Sequence, residues 1–127
     1  MEPSEVDNEL TGVILDAAIE THKHLGPAFG ESVYENALFE ELSRRGVSFA
    51  RQVPIVVQYR GVAVGNGAMD LVVERRVVVE LKAQPTLAPV HTAQAISYLK
   101  ATGLRLGVAI NFGERHIKGG FKRIVQS

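Results

Sequence analysis

Apolar positions along the chain recur with two different periods, and these divide it into helices and strands. Leu10, Val13, Ile14, Ala17 and Ala18 fall three and four apart. They form one stripe of a helix that Asn8 or Thr11 would cap and that runs to about Leu25. Its other face carries Asp16, Glu20 and Lys23, while His22 and His24 point to different sides, as surface histidines. Gly26-Pro27 stops it. A second helix is expected from near Gly30 to Arg44-Arg45-Gly46, with basic residues in its last turn and glycine beyond. Its stripe includes Tyr34, Leu38 and Leu42. Glu31, three residues before Tyr34, sits at the head of that buried face, either compensating the helix dipole or pointing at the sheet.

The middle of the chain switches to the β pattern. Val53–Tyr59 reads as a strand, Arg60-Gly61 as a turn and Val62–Val64 as the return. Gly65-Asn66-Gly67 reads as a turn or bulge. Leu71–Val73 and Val77–Leu81 then form a hairpin around Glu74-Arg75-Arg76. Val77-Val78-Val79 is apolar on both faces, as in a central strand. A third helix fits Pro89 to Thr102 with Gly103 as its C-cap. Thr92, Ile96 and Leu99 trace one of its faces and Gln94 and Tyr98 the adjacent one, with His91, one turn earlier, read as structural. Leu104–Phe112 is an interior strand, and residues 113–127 end the chain as a last strand or short helix with a basic side. The order α-α-β-β-β-β-α-β, with its terminal element, gives an α/β fold: a mixed central sheet flanked by helices, in one domain spanning residues 1–127.

The candidate chemistry lies in the hairpin Met69–Lys82. Side chains alternate along a strand, so Glu80 and Lys82 share a face. With a three-residue loop, Asp70 lies across from Glu80 on that face, and two carboxylates and an ammonium converge. Facing carboxylates repel unless a cation lies between them, and a hard divalent ion such as Mg²⁺ suits oxygen ligands of this kind. A one-residue change in loop length would put Asp70 and Glu80 on opposite faces. On spacing alone, a solvated hairpin with scattered charges is equally compatible, although charge at the end of a buried strand is costly.

Composition narrows the chemistry further. The 127 residues contain no cysteine, which removes disulfides, thiolate metal sites and thiol nucleophiles. No apolar run approaches the ~20 residues of a membrane span. The N-terminus is acidic, unlike a signal peptide, so a cytoplasmic location is expected. Net charge is zero, but residues 1–41 carry −9, residues 42–98 +4 and residues 99–127 +5. A neutral chain so divided is able to present a basic face.

Asp70, then nine residues, then Glu80-Leu81-Lys82 resembles the signature of the PD-(D/E)xK nuclease superfamily. An upstream helical glutamate, Glu31, and a Gln-x-x-x-Tyr pair, Gln94 and Tyr98, strengthen the resemblance, and the pair is similar to the accessory motif of the RecB-like branch. From Leu10 to Val125 the chain resembles the small bacterial proteins called the GxxExxY family. The likeness includes Glu31-Ser-Val-Tyr34, Val79–Ala83, Gln94–Gly103, Asn111-Phe-Gly113 and Lys122–Val125. Two positions depart from the pattern: the naming glycine falls at Ala28, and Met69 stands where the superfamily has proline.

The resemblance implies a restriction-endonuclease-like core and metal-dependent hydrolysis of phosphodiester bonds. Asp70, Glu80 and the Leu81 carbonyl would hold Mg²⁺, with Mn²⁺ as a substitute, and Glu31 would complete the site. Lys82 would orient or deprotonate water, while Gln94 and Tyr98 would position substrate or Lys82. Lys100, Arg115, Lys118, Lys122 and Arg123 would contact phosphates. The expected partner is nucleic acid, DNA in the first instance, bound without strong sequence preference; 127 residues offer little surface to grip a duplex, which a homodimer would extend. Two alternatives stand beside this: a binding or protein-interaction module on the same fold with weak or no catalysis, and a structural subunit whose Glu80 and Lys82 form a satisfied ion pair.

Overall fold

The computed structural model describes residues 3–126; Met1, Glu2 and Ser127, which the single-domain expectation includes, lie outside the described residues. The elements run α1 (Glu5–Leu25), α2 (Glu31–Arg44), β1 (Phe49–Tyr59), β2 (Val62–Val73), β3 (Val77–Lys82), α3 (Pro89–Thr102) and β4 (Leu106–Asn111). A single 3₁₀ turn (Ile117–Gly120) and β5 (Phe121–Val125) follow. The strands lie in chain order. Every pairing is antiparallel except β3–β4, which α3 connects in parallel. The α/β class and the mixed sheet flanked by helices are as the sequence led us to expect. No helix among the described residues is long and apolar enough to cross a membrane.

Several boundaries differ from expectation, each for a local reason. Ser4, rather than Asn8 or Thr11, caps α1: its hydroxyl accepts from the Asp7 N–H at 3.1 Å while the Asp7 carboxylate accepts from the Ser4 N–H at 3.2 Å. Three strands precede α3 instead of four. Gly65-Asn66-Gly67 stays extended and pairs with Val57, Val56 and Ile55, so the two expected strands fuse into β2. The buried stripe of α3 is Ala95 and Leu99, whereas Ile96 is exposed. The His22 ring is half-buried and donates to the Glu114 carbonyl at 2.8 Å, which ties α1 to the segment after β4.

Two cores lie on opposite faces of the sheet. α1 and α2 cover one, built from Ile14, Tyr34, Leu38, Leu71, Val79, Leu81, Val108 and Phe112 among others. α3 covers the other, smaller one, with Val72, Val78, Ala95, Leu99 and Ala109. β3 is central, and Val77–Leu81 is buried on both faces.

The β1–β2 pair changes face part-way along. Residues two apart in a strand normally share a face, yet Leu71 lies in the α1/α2 core and Met69 in the α3 core. Opposite them, Arg51 stacks on the Phe39 ring of the first core, whereas Val53 packs into the second. The switch falls at Gln52 and Asp70, between the pairs Arg51↔Leu71 and Val53↔Met69. Gln52 sits there with φ 47°, a left-handed conformation that side chains other than glycine seldom adopt. That backbone turns the strand over without altering register, and it costs about 1–2 kcal/mol. A Gln52→Gly protein should therefore lie within about 1 kcal/mol of wild type in chemical denaturation, because relieved strain offsets added chain entropy. Gln52→Val, β-branched at positive φ, should lose about 2 kcal/mol or more.

Candidate active site

The face switch places Asp70 where two layers of the molecule meet. The hairpin loop is three residues long, with Glu74 and Arg75 at φ 52° and 59°. The pairs Val73↔Val77, Val72↔Val78 and Leu71↔Val79 set the register that puts Asp70 across from Glu80. One step further the ladder opens. The Leu81 N–H, which regular pairing would give to a β2 carbonyl, instead donates to Asp70 Oδ2 at 2.8 Å. N–H and C=O of one strand residue point the same way, so the Leu81 carbonyl faces this gap as well.

Glu80 occupies the α3 face of β3 and is 2 % exposed. Its Oε1 has no hydrogen-bond partner among the described residues. Burial, reinforced by the neighbouring Asp70 charge, pushes the Glu80 carboxyl up to about 8. Lys82, half-buried on the same face, moderates this only partly. Among the described residues Lys82 forms no ion pair, so the satisfied Glu80–Lys82 bridge of a structural subunit is not formed.

The first turns of α2 supply two more carboxylates. Glu31 and Glu35 are one helical turn apart, and with Asp70 they present oxygens that all lie within 4.8 Å of one another. Burial raises both glutamates above the ordinary carboxylate range, and Asp70 adds to the effect. Glu35 was not anticipated from sequence. Its signal was the four-residue spacing from Glu31 on a helix whose next residue inward, Tyr34, is buried. Across the site, Gln94 Nε2 donates to the Tyr98 hydroxyl at 2.9 Å. Burial and the Glu80 charge raise the Tyr98 phenol, as expected for a hydroxyl near the same carboxylates. His91 Nδ1 accepts from the Ala88 N–H at 3.2 Å, an N-terminal cap for α3.

A model of the PD-(D/E)XK nuclease superfamily matches residues 8–124. The chain belongs to the PD-(D/E)XK nuclease superfamily. No curated protein and no solved structure matches it. Its fold is accordingly the restriction-endonuclease-like one of a superfamily of hydrolytic nucleases that use divalent metals.

The donors present in this PD-(D/E)XK chain fit such an ion. All are oxygens, without cysteine, which favours a hard cation over zinc. A buried carboxylate oxygen without a partner is expensive as it stands and becomes favourable once a cation faces it.

The basic residues expected to meet phosphate are dispersed. Lys122 lies on the α3 face of β5, in a groove of about 740 Å³ with Thr86, Thr92 and Ile96. Arg123 turns to the other face, where its guanidinium donates to the Asn8 side chain. Arg115 and Lys118 sit beside α1 with His22 and Lys23, and Lys100 borders the cleft between α3 and β1.

The Glu80 shift makes stability depend on pH. The folded carboxyl keeps its proton to about pH 8, while the unfolded one releases it near 4.5. Between these values the native state holds more protons, so metal-free protein loses stability as pH rises and levels off above 8. Thermal melts in EDTA from pH 5 to 9 should show this slope in wild type. Glu80→Gln should flatten it.

Proposed function

We propose that this protein is a divalent-metal-dependent nuclease that hydrolyses phosphodiester bonds of DNA without strong sequence preference. The observation that carries the reading is the buried Glu80 carboxyl beside Asp70, whose Oε1 has no hydrogen-bond partner among the described residues, with the Lys82 ammonium next along the same strand face. A site built only for packing has no use for a buried acid in that condition.

In this reading Asp70, Glu80 and the Leu81 carbonyl hold Mg²⁺ or Mn²⁺, with Glu31 and Glu35 binding directly or through water. The metal supplies a polarised phosphate and a more acidic water. Lys82 would orient the attacking water and, as a compact ammonium charge, offset charge growing on the phosphoryl oxygens; taking the water's proton would require its neutral amine. The Gln94–Tyr98 pair orients substrate or Lys82, and Lys122, on the same sheet face as Lys82, contacts a neighbouring phosphate. Lys100, Arg115, Lys118 and Arg123 serve longer backbone tracks if a partner copy continues the surface. Buried Tyr34 and the Gln94–Tyr98 hydrogen bond support placement in the GxxExxY group of the RecB-like branch.

Labelled single-stranded, duplex and branched DNA and RNA, each incubated with Mg²⁺, Mn²⁺ or EDTA, test the reading. Cleavage should require metal, and Asp70→Ala and Lys82→Ala should each lower it at least about a hundredfold. Glu35→Gln should lower it about tenfold, as loss of an outer partner does. No cleavage of any substrate, with metal-independent binding that the substitutions leave unchanged, would return the fold to the interaction-module reading.

A further inference from the structure

The charged groups of the site come from different layers: Asp70 from β2, Glu80 and Lys82 from β3, Glu31 and Glu35 from α2. A metal site needs such donors fixed to about 0.5 Å, and strand ends fray unless something holds them. One short segment reaches both halves. Asn111, the parallel neighbour of Lys82, is 0 % exposed. Its Oδ1 accepts from the Gln84 N–H at 2.9 Å and the Gly113 N–H at 3.1 Å, and its Nδ2 donates to the Gln84 carbonyl at 2.9 Å.

The ladder itself does not require these bonds. Phe112 N–H already donates to the Lys82 carbonyl at 2.8 Å and continues the pairing. The Asn111 amide acts beyond it, on the chain as it leaves Lys82. Gly113 lies so close to Gln84 that a Cβ there would overlap the Gln84 backbone. A buried amide is tolerated only when its donors and acceptors are met, as they are here.

The same segment grips α2. The Phe112 ring stacks on Tyr34 at 4.8 Å between centroids and 6° between planes. Tyr34 lies between Glu31 and Glu35 in sequence and is 0 % exposed. Its hydroxyl donates to the Gly26 carbonyl and accepts from the Phe29 N–H at 3.1 Å, pinning the loop that enters α2.

We propose that Asn111-Phe112-Gly113 is a positioning clamp: it sets the strand end bearing Glu80 and Lys82 against the helix bearing Glu31 and Glu35, and so fixes the spacing of the metal donors. The proposal rests on the nuclease reading for its effect on turnover, but not for its effect on metal binding.

The test uses the full chain with Asn111→Ser, which adds no charge, and with Phe112→Leu, Tyr34→Leu and Tyr34→Phe. Leu106→Val, in the same core at the start of β4, serves as a control. Each is measured for melting temperature, Mn²⁺ affinity, and kcat and KM on DNA that the wild type cuts. The clamp predicts Mn²⁺ affinity about tenfold weaker for Asn111→Ser, Phe112→Leu and Tyr34→Leu. It predicts kcat about 10–100-fold lower at saturating metal with KM within about threefold. Tyr34→Phe, which keeps the ring stack and loses only the hydroxyl bonds to the loop before α2, should lose less affinity than Tyr34→Leu, and Leu106→Val should change only the melting temperature. Should Phe112→Leu or Tyr34→Leu not fold, Asn111→Ser decides.

Wild-type Mn²⁺ affinity and kcat in folded Asn111→Ser would overturn the clamp, as would equal losses in Leu106→Val. A wild type that cuts nothing, with affinities falling in the predicted pattern, would overturn the nuclease reading and support the clamp. A wild type that cuts, with variants unchanged, would do the reverse. A wild type that neither binds Mn²⁺ nor cuts would overturn both.

Discussion

The arrangement depends on one carboxyl group kept out of water beside another, with one of its oxygens unsatisfied. Glu80 sits on a central strand between two cores, 2 % exposed, with one oxygen unbonded and the Asp70 charge beside it. Left alone it resolves the conflict by holding a proton, which is why its carboxyl rises to about 8. A divalent cation resolves it differently, by giving both carboxylates a common counter-charge. Much of the surrounding structure can be understood as keeping the first solution available and the second favourable.

Two departures from regular geometry accompany this arrangement. Gln52 takes a left-handed conformation so that β1 and β2 change face opposite Asp70. The β2–β3 ladder opens after Leu71↔Val79, and the Asp70 side chain takes the N–H that a carbonyl would have taken. The opening leaves the Leu81 carbonyl facing the same gap. Strain and lost pairing cost stability, and such costs are found where function over-determines the local structure.

The sequence made the side chains that converge at β3 legible and much of their supporting structure illegible. The Asp70–Glu80 register followed from loop length and strand parity, and both hold because the hairpin from Leu71 to Val79 pairs regularly, as Leu71↔Val79 and Val72↔Val78 show. The limits of α3 followed from Pro89 and Gly103, whose backbone preferences act locally. The face switch at Gln52 left no trace, because a period of two presumes that a strand keeps its faces. Gly65-Asn66-Gly67 read as a break because glycine has no side chain to report pairing, yet it lies inside β2. Glu35 was hidden for a different reason. It adjoins Tyr34 on the helix and resembles a solvated charge until Asp70 is brought opposite. The basic residues that the resemblance assigned to phosphate lie on several faces, since clustering along a chain does not fix clustering in space.

If the buried acid exists to receive a cation, metal binding must expel its proton. Titration calorimetry with Mn²⁺ near pH 7, in two buffers of different ionisation enthalpy, measures that exchange directly. The account predicts release approaching one proton per ion bound, falling toward zero above pH 8 and in Glu80→Gln. Binding without proton release, or no binding in a folded protein, would contradict it.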